Sequence, residues 1–166
     1  MGGLVLQKYL ENRSCKKAVL MTTVPVNGVL RTTINFLLKK SYSWPSLLVF
    51  NLFGLVDSIP KLKWAFFSEN AKEEDLKLCE ANLCSESFRA FFDMLYPNVK
   101  INYHTKIPML VIGAELDNIF TINEQKKTAE KYQADFKIVA KIAHDMMLDA
   151  RNEVAAKEIL DWLAKD

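Results

Sequence analysis

Two uninterrupted apolar runs constrain the fold of this chain more than any other feature of its sequence. Residues 18–24 are apolar and rich in β-forming side chains and end at Pro25, and residues 107–112 form a second such run. Strands without polar alternation are typical of parallel sheets, which are covered by helices on both faces. We therefore predict two buried parallel strands, separated by a long intervening segment.

Helical patterns accompany both runs. Residues 4–11 place Leu6 and Leu10 on one face of a helix ahead of the first strand. Thr121 and Glu124 have the spacing of a capping box and predict a helix after the second strand. Strands that alternate with helices indicate an α/β fold with parallel pairing.

The last part of the chain continues this alternation. Residues 136–140 alternate apolar and more polar side chains, which predicts a third short strand, and Asp149 is a candidate N-cap for a final helix. We predict an α/β core, made of residues 1–25 and 107–166, with a short parallel sheet of about three strands.

The middle segment, residues 26–106, has a different character. It is rich in helical patterns and aromatic residues and poor in strand patterns, so we interpret it as a helical cap inserted into the core. Its aromatic side chains either line an apolar pocket or only pack the cap together, and the sequence leaves both open. The pocket candidates are Trp44, Phe50, Phe53, Trp64, Phe66 and Phe67.

Composition narrows the function classes. A net charge of +2 over 166 residues, with scattered basic residues, argues against nucleic-acid binding. Three cysteines without CxxC spacing and only two histidines argue against a zinc site and favour a reduced, cytoplasmic protein. The sequence shows no signal peptide and no apolar run long enough for a transmembrane segment. We expect no metal and no cofactor.

Loops after two predicted strands carry side chains capable of proton transfer. Glu115 and Asp117 follow the second strand, and His144 follows the third. Active sites of open α/β sheets lie beyond the carboxyl ends of the strands. Either position taken alone is better explained as an ordinary loop or packed residue. Together they predict an acid and a base, with Asp117 as the preferred acid, Glu115 as its rival and His144 as the base.

The first residues, Met1 and Gly2, lead through a second glycine directly into a helix. A frayed chain start would account for this pattern by itself. The pattern also matches the second half of a G-x-S-x-G nucleophile elbow, a tight strand-to-helix turn. Met1 would then follow the nucleophile, where a backbone N–H helps to form the oxyanion hole, and Gly2 would be the closing glycine.

Taken together, these segments resemble the later part of the α/β-hydrolase family, in its esterase and lysophospholipase-like branch. The segments that carry the resemblance are MGGLVLQKYLE, AVLMTTVPVNG, AFFSENAKEEDLKLCEANLCSESFRAFFDML, PMLVIGAELDNIFT and AHDMMLD. The resemblance covers nearly the whole chain. It implies that Asp117 is the acid and His144 the base of a serine-hydrolase triad, and that the substrate is a small-molecule ester or lipid with an apolar group.

The sequence departs from the family at the nucleophile, because it contains no G-x-S-x-G motif. By the resemblance, the serine and the first strands of the fold would precede Met1, and we expect this chain alone to be inactive as an esterase. Two function classes remain open. The chain is either the C-terminal portion of a serine hydrolase or a non-catalytic binding or assembly module derived from one.

The missing neighbour of the first strand predicts a partner. The strand at residues 18–24 would present an unpaired apolar edge, and the helix at residues 4–11 would leave Leu6 and Leu10 partly uncovered. Exposed edges of this kind recruit another chain. We expect a homodimer through the strand or the helix, or association with a complementing N-terminal segment.

Overall fold

The computed structural model of this chain describes residues 1–39, 53–84, 87–102 and 107–165. Helices and strands alternate at both ends of the chain, and helices occupy the middle. In chain order the elements are α1 (Gly2–Tyr9), β1 (Ala18–Met21), α2 (Leu30–Lys39), a 3-10 turn (Phe53–Leu55), α3 (Ile59–Phe66), α4 (Glu73–Asn82), α5 (Phe88–Leu95), β2 (Met109–Ala114), α6 (Ile122–Tyr132), β3 (Asp135–Val139) and α7 (Asn152–Leu163).

The three strands form one sheet in the order β1-β2-β3, and both pairings are parallel. In register, Leu20 of β1 lies beside Val111 of β2, and Ile112 of β2 lies beside Lys137 of β3. The predicted α/β fold with a short parallel sheet is therefore confirmed. The outer side of β1 pairs with no strand in the described part of the chain.

The central strand β2 is buried along its whole length. Its even-numbered residues Leu110 and Ile112 pack in a cluster with Trp162 of α7. Its odd-numbered residues Met109 and Val111 pack in a second cluster with residues of α1 and α6. Because both faces are covered by helices, every residue of the strand is apolar or small, as the continuous apolar run indicated.

The capping box is confirmed in detail. Thr121 Oγ1 accepts a hydrogen bond from the Glu124 N–H at 3.3 Å, and the Glu124 carboxylate accepts one from the Thr121 N–H at 2.9 Å. The prediction for the final helix is wrong in one respect. Helix α7 begins at Asn152 rather than next to Asp149, whose carboxylate is occupied by other donors.

Two predictions for the first elements need correction. Strand β1 ends at Met21 instead of residue 24, because Thr22 adopts a left-handed backbone with φ of 36°. Leu10 does not need an external partner, since it is buried against Ala18 and Met109, and Leu6 is partly buried in the same cluster. Helix α1 thus covers the sheet with the residues that the sequence placed on its apolar face.

The described part of residues 26–106 contains helices and no strand. Helices α3 and α4 enclose a separate apolar cluster around Leu62, Phe67 and Leu76. Helix α5 contributes Phe91 and Met94 to a cluster that also contains residues of the core. The assignment of this segment as a distinct cap stays a prediction. None of the described helices is both long and apolar enough to cross a bilayer.

Helix α1 approaches the end of β1 closely at Gly3. A Cβ at this position would lie 2.8 Å from the Thr23 Cβ and closer still to its hydroxyl oxygen. The same threonine accepts a hydrogen bond from the buried Gln7 side chain at 3.0 Å. A Cβ at Gly2, in contrast, would meet nothing within 4 Å.

We expect Gly3→Ala to lower the free energy of unfolding by about 1–3 kcal/mol, because the added methyl overpacks the contact with Thr23. Gly2→Ala is the matched control. It should leave stability unchanged or raise it by roughly 0.4–1 kcal/mol, since alanine restricts the unfolded chain. Urea unfolding of both variants measures the difference. Equal stabilities would show that α1 does not depend on this contact.

Candidate active site

The loops after β2 and β3 run side by side beyond the carboxyl ends of the strands. The Glu115 N–H donates to the Val139 carbonyl at 3.0 Å, and the Leu116 N–H donates to the Ile142 carbonyl at 2.9 Å, so the pairing continues past the sheet. This arrangement brings Asp117 and His144 together, with 2.9 Å between Asp117 Oδ2 and His144 Nδ1.

The Asp117 carboxylate is held in place by its own loop. Its second oxygen, Oδ1, accepts hydrogen bonds from the backbone N–H groups of Ile119 at 2.7 Å and Phe120 at 2.9 Å. The side chain is fully buried, so these bonds replace water as partners of the charged group. The other oxygen is left to orient the imidazole.

Glu115, the rival acid, has a different partner. Its Oε2 accepts a hydrogen bond from the Lys141 N–H at 2.8 Å, where the backbone adopts a left-handed φ of 57°. Glu115 therefore stabilises a turn in the loop after β3. Of the two candidate acids, the structure brings only Asp117 to the imidazole of His144.

The imidazole of His144 lies between two aromatic rings. Its centroid is 5.7 Å from that of Phe66 and 5.3 Å from that of Phe120, and the Phe120 contact is edge-to-face. The side chain keeps one fifth of its surface exposed. Because Nδ1 is engaged by Asp117, Nε2 is the ring nitrogen that remains for a group in the adjoining cavity.

That cavity has a volume of about 400 Å³, and His144 forms part of its wall. Met1, at the start of α1, and Thr22, after β1, also line it. Most other lining residues are apolar, and no lysine, arginine or carboxylate side chain is among the described ones. They include Val24, Val29, Leu55, Val56, Phe66, Leu83, Phe91, Met94, Ile119 and Phe120. Met1 and His144 therefore line the same cavity, whereas Gly2 is absent from its described lining, and the elbow remnant stays a prediction.

The predicted aromatic pocket residues that the structure describes lie in different surroundings. Phe66 lines the cavity, while Phe67 is buried in the cluster between α3 and α4. Trp64 is absent from the described lining, and its carbonyl accepts a hydrogen bond from the Asn118 side chain at 2.8 Å. Trp44, Phe50 and the Phe53 side chain lie outside the described residues.

Sequence reasoning missed an aromatic residue that contacts the candidate base. Phe120 lies in the loop after Asp117, outside the segment from which pocket residues were selected. An apolar Ile-Phe pair two residues after a candidate catalytic acid is a signal that could have identified it. Within the described ranges, no three His, Cys, Asp or Glu side chains lie together as a metal site would require.

Asp145 follows the candidate base and is poorly solvated. Burial raises the pKa of its carboxyl group, although backbone hydrogen bonds from Met147 and Leu148 oppose the shift. Its Oδ1 is buried without a hydrogen-bond partner among the described residues. Burial, followed by the negative charge of Asp145, also raises the pKa of the Cys79 thiol, which favours the unreactive thiol form.

The raised pKa of Asp145 predicts that this residue lowers the free energy of unfolding more at high pH than at low pH. Stability associated with this group is fully present below its unfolded pKa and is lost as pH rises through the raised folded pKa. We expect the stability of Asp145→Asn, measured relative to the wild type at the same pH, to be higher at pH 7 than at pH 4. Urea unfolding at both pH values measures this. A pH-independent difference would contradict the prediction.

Asp161 provides the control of opposite sign. A hydrogen bond from Lys157 lowers the pKa of this surface carboxyl, so its contribution is present at neutral pH and lost in acid. The stability of Asp161→Asn, measured relative to the wild type at the same pH, should therefore be lower at pH 7 than at pH 4.

Comparison with known proteins bears on the fold. No protein-family model and no curated protein sequence matches the chain. Solved structures similar to it include a candidate non-heme bromoperoxidase from Mycobacterium tuberculosis (15% identity, TM-score 0.65), a mutant of polyneuridine aldehyde esterase (19%, 0.62) and a monoacylglycerol lipase from Paleococcus ferrophilus (17%, 0.63).

These similarities extend over 97–98% of this chain but only 63–67% of the three solved chains. The chain thus spans about two thirds of the length of structures that share the α/β-hydrolase fold. Its parallel sheet, with Asp117 and His144 beyond the strand ends, is a partial α/β-hydrolase fold.

Proposed function

We propose that this chain supplies the acid, the base and the acyl pocket of a serine hydrolase that acts on esters with apolar acyl groups. The observation that carries the proposal is the 2.9 Å contact between Asp117 and His144 at the wall of a mostly apolar cavity. An acid that orients an imidazole, which in turn faces a substrate-sized space, is the arrangement that activates a hydroxyl nucleophile.

In the proposed mechanism, the His144 Nδ1–H donates to Asp117 and leaves the Nε2 lone pair directed to the reacting groups. Nε2 accepts the proton of the nucleophilic serine as the serine oxygen attacks the ester carbonyl. The imidazolium then protonates the leaving alkoxide, and Asp117 stabilises its transient positive charge. The Met1 backbone N–H, in a chain that continues before it, would be one donor to the oxyanion.

The serine itself comes from outside these 166 residues, which contain no G-x-S-x-G motif. A segment joined before Met1, or a separate complementing segment, would present it at the cavity wall. The position of Met1 in that wall supports this direction of approach.

The substrate class is argued from the cavity lining. Aliphatic and aromatic side chains make up most of the described wall, and no lysine, arginine or carboxylate is among them. Such a wall favours a neutral acyl or alkyl chain, since a charged group would lose hydration without a partner. Esterase and monoacylglycerol lipase among the similar structures are compatible with this choice. Of a lysophospholipase-like substrate, only the apolar acyl chain fits the same lining.

A second candidate function is a non-catalytic binding module. The observation that favours it is an apolar cavity of about 400 Å³ in a sequence without the nucleophile motif. Fluorophosphonate labelling of the natural gene product separates the two candidates. A hydrolase is labelled at a serine, and labelling is lost in Asp117→Asn and His144→Ala variants, whereas a binding module is not labelled.

For the purified chain, we expect no turnover of p-nitrophenyl butyrate or octanoate above the His144→Ala background, because an imidazole without its serine lacks the covalent pathway. A non-hydrolysable analogue, 2-dodecanone, should nevertheless shift the NMR signals of His144 and Phe120, whereas acetone at the same concentration should not. Turnover abolished by His144→Ala would show that the chain already holds a nucleophile. Absence of any shift with 2-dodecanone would contradict the proposed substrate class.

We also propose that two chains associate around the outer edge of β1. Helices on both faces of the sheet carry exposed apolar side chains, with Val5 of α1 65% exposed and Leu160 of α7 64% exposed. An unpaired strand edge favours pairing with a second strand, and a twofold arrangement closes without further growth.

Sedimentation velocity at micromolar concentration should therefore show a dimer. We expect the double variant Val5→Glu and Leu160→Glu to shift the population to monomer, because the introduced charges would be buried in the interface. Leu38→Glu, a change at an exposed leucine of α2, is the control and should leave the dimer intact. A monomeric wild-type chain would contradict the proposal and leave complementation by a separate segment as the alternative.

A further inference from the structure

Asp149 is a buried carboxylate outside the proposed acid–base pair. Only 1% of its surface is exposed, yet each of its oxygens accepts two hydrogen bonds. Oδ2 accepts from the N–H groups of Ser68 at 3.0 Å and Ala143 at 2.7 Å. Oδ1 accepts from the Ser68 hydroxyl at 2.6 Å and the Ala150 N–H at 2.7 Å.

The donors belong to two different parts of the chain. Ser68 directly follows the end of α3 in the helical middle segment, whereas Ala143 immediately precedes the candidate base His144. Asp149 Oδ2 therefore holds the two backbones against one another through a single atom. Four neutral donors on one buried carboxylate compensate its lost hydration, which is why the charged group is tolerated there.

A second hydrogen bond to the middle segment lies on the other side of His144 in the sequence. The Asp145 N–H donates to the Phe66 carbonyl at 2.8 Å, and the ring of Phe66 contacts the imidazole itself. The residues on both sides of His144 are thus connected to residues 66–68, one directly and one through Asp149. The backbone at His144 has little freedom to move unless residues 66–68 move with it.

We propose that Asp149 is a positioning residue that fixes His144 to residues 66–68, so that the orientation of the base toward Asp117 depends on the seating of the cap. This inference rests on the proposed function of His144 as the base. Without Asp149, the N–H groups of Ala143 and Ser68 lose their common acceptor, and the Ala143 peptide turns to find water. A displacement of about 1 Å at a catalytic group is enough to lower a rate by roughly 10²-fold.

NMR of the imidazole tests the proposal without requiring activity. In the wild-type chain, we expect the Nδ1–H of His144 to give a resolved resonance that exchanges slowly with water, because Asp117 accepts it in a buried position. In Asp149→Ala, this resonance should broaden or exchange at least tenfold faster. Asp149→Asn should retain most of the protection, since one amide oxygen can still accept from Ala143 and Ser68 and the amide N–H can donate to the Ser68 hydroxyl.

Thr128→Val is the matched control for loss of a buried polar contact. The Thr128 hydroxyl accepts from the Val26 N–H at 3.1 Å and donates to the Glu124 carbonyl at 3.0 Å, away from the base. This variant should lower the unfolding midpoint and leave the His144 resonance unchanged. If it accelerated exchange as much as Asp149→Ala, the effect would reflect general destabilisation and the proposal would be wrong.

Ser68→Ala keeps the experiment decisive if Asp149→Ala does not fold. It removes one of the four donors and should accelerate Nδ1–H exchange severalfold, whereas unchanged exchange in folded Ser68→Ala or Asp149→Ala would overturn the proposal. Asp117→Asn separates this failure from failure of the proposed function. An imidazole signal insensitive to Asp117→Asn would refute the acid–base pair, regardless of the result at Asp149.

Discussion

The burial of β2 on both faces is the constraint on which the rest of this structure depends. Leu110 and Ile112 require α7 on one side of the sheet, and Met109 and Val111 require α1 and α6 on the other. The strands pair in parallel, and the helical crossovers that parallel strands need cover both faces of the sheet. All carboxyl ends then lie along one edge of the sheet, and the loops that follow β2 and β3 become neighbours.

This edge explains how two residues 27 positions apart come within hydrogen-bonding distance. The loops continue the backbone pairing of the strands for a short distance. This pairing fixes how far beyond the strand ends Asp117 and His144 lie. Local bonds then complete the geometry. Backbone N–H groups hold one oxygen of Asp117, while Glu115 supports the turn at Lys141. The two candidate acids therefore stabilise the same pair of loops in different ways.

The helical middle segment is attached to this site through polar contacts as well as apolar packing. Residues 66–68 contribute an aromatic ring beside the imidazole, a carbonyl to Asp145, and two donors to Asp149. A buried carboxylate with four donors is more directional than an apolar contact, since moving either backbone leaves polar groups unpaired. This directionality is the physical basis of the proposed link between the position of His144 and that of the helical middle segment.

Much of the framework followed from the sequence alone. Continuous apolar runs reveal strands buried on both faces, and the spacing of Thr121 and Glu124 reveals a helix start, because both signals depend on neighbours along the chain. The order of Asp117 and His144 after successive strands was equally readable. What only the tertiary structure decided concerns contacts between distant segments. In the structure, Asp117 rather than Glu115 contacts His144. Asp149 was predicted as a helix cap but accepts a hydrogen bond from Ser68. Phe120 lines the cavity, whereas Phe67 is buried elsewhere. Residue type and local spacing do not distinguish the predicted contacts of these residues from the observed ones. The observed contacts depend on partners that lie far away in the sequence.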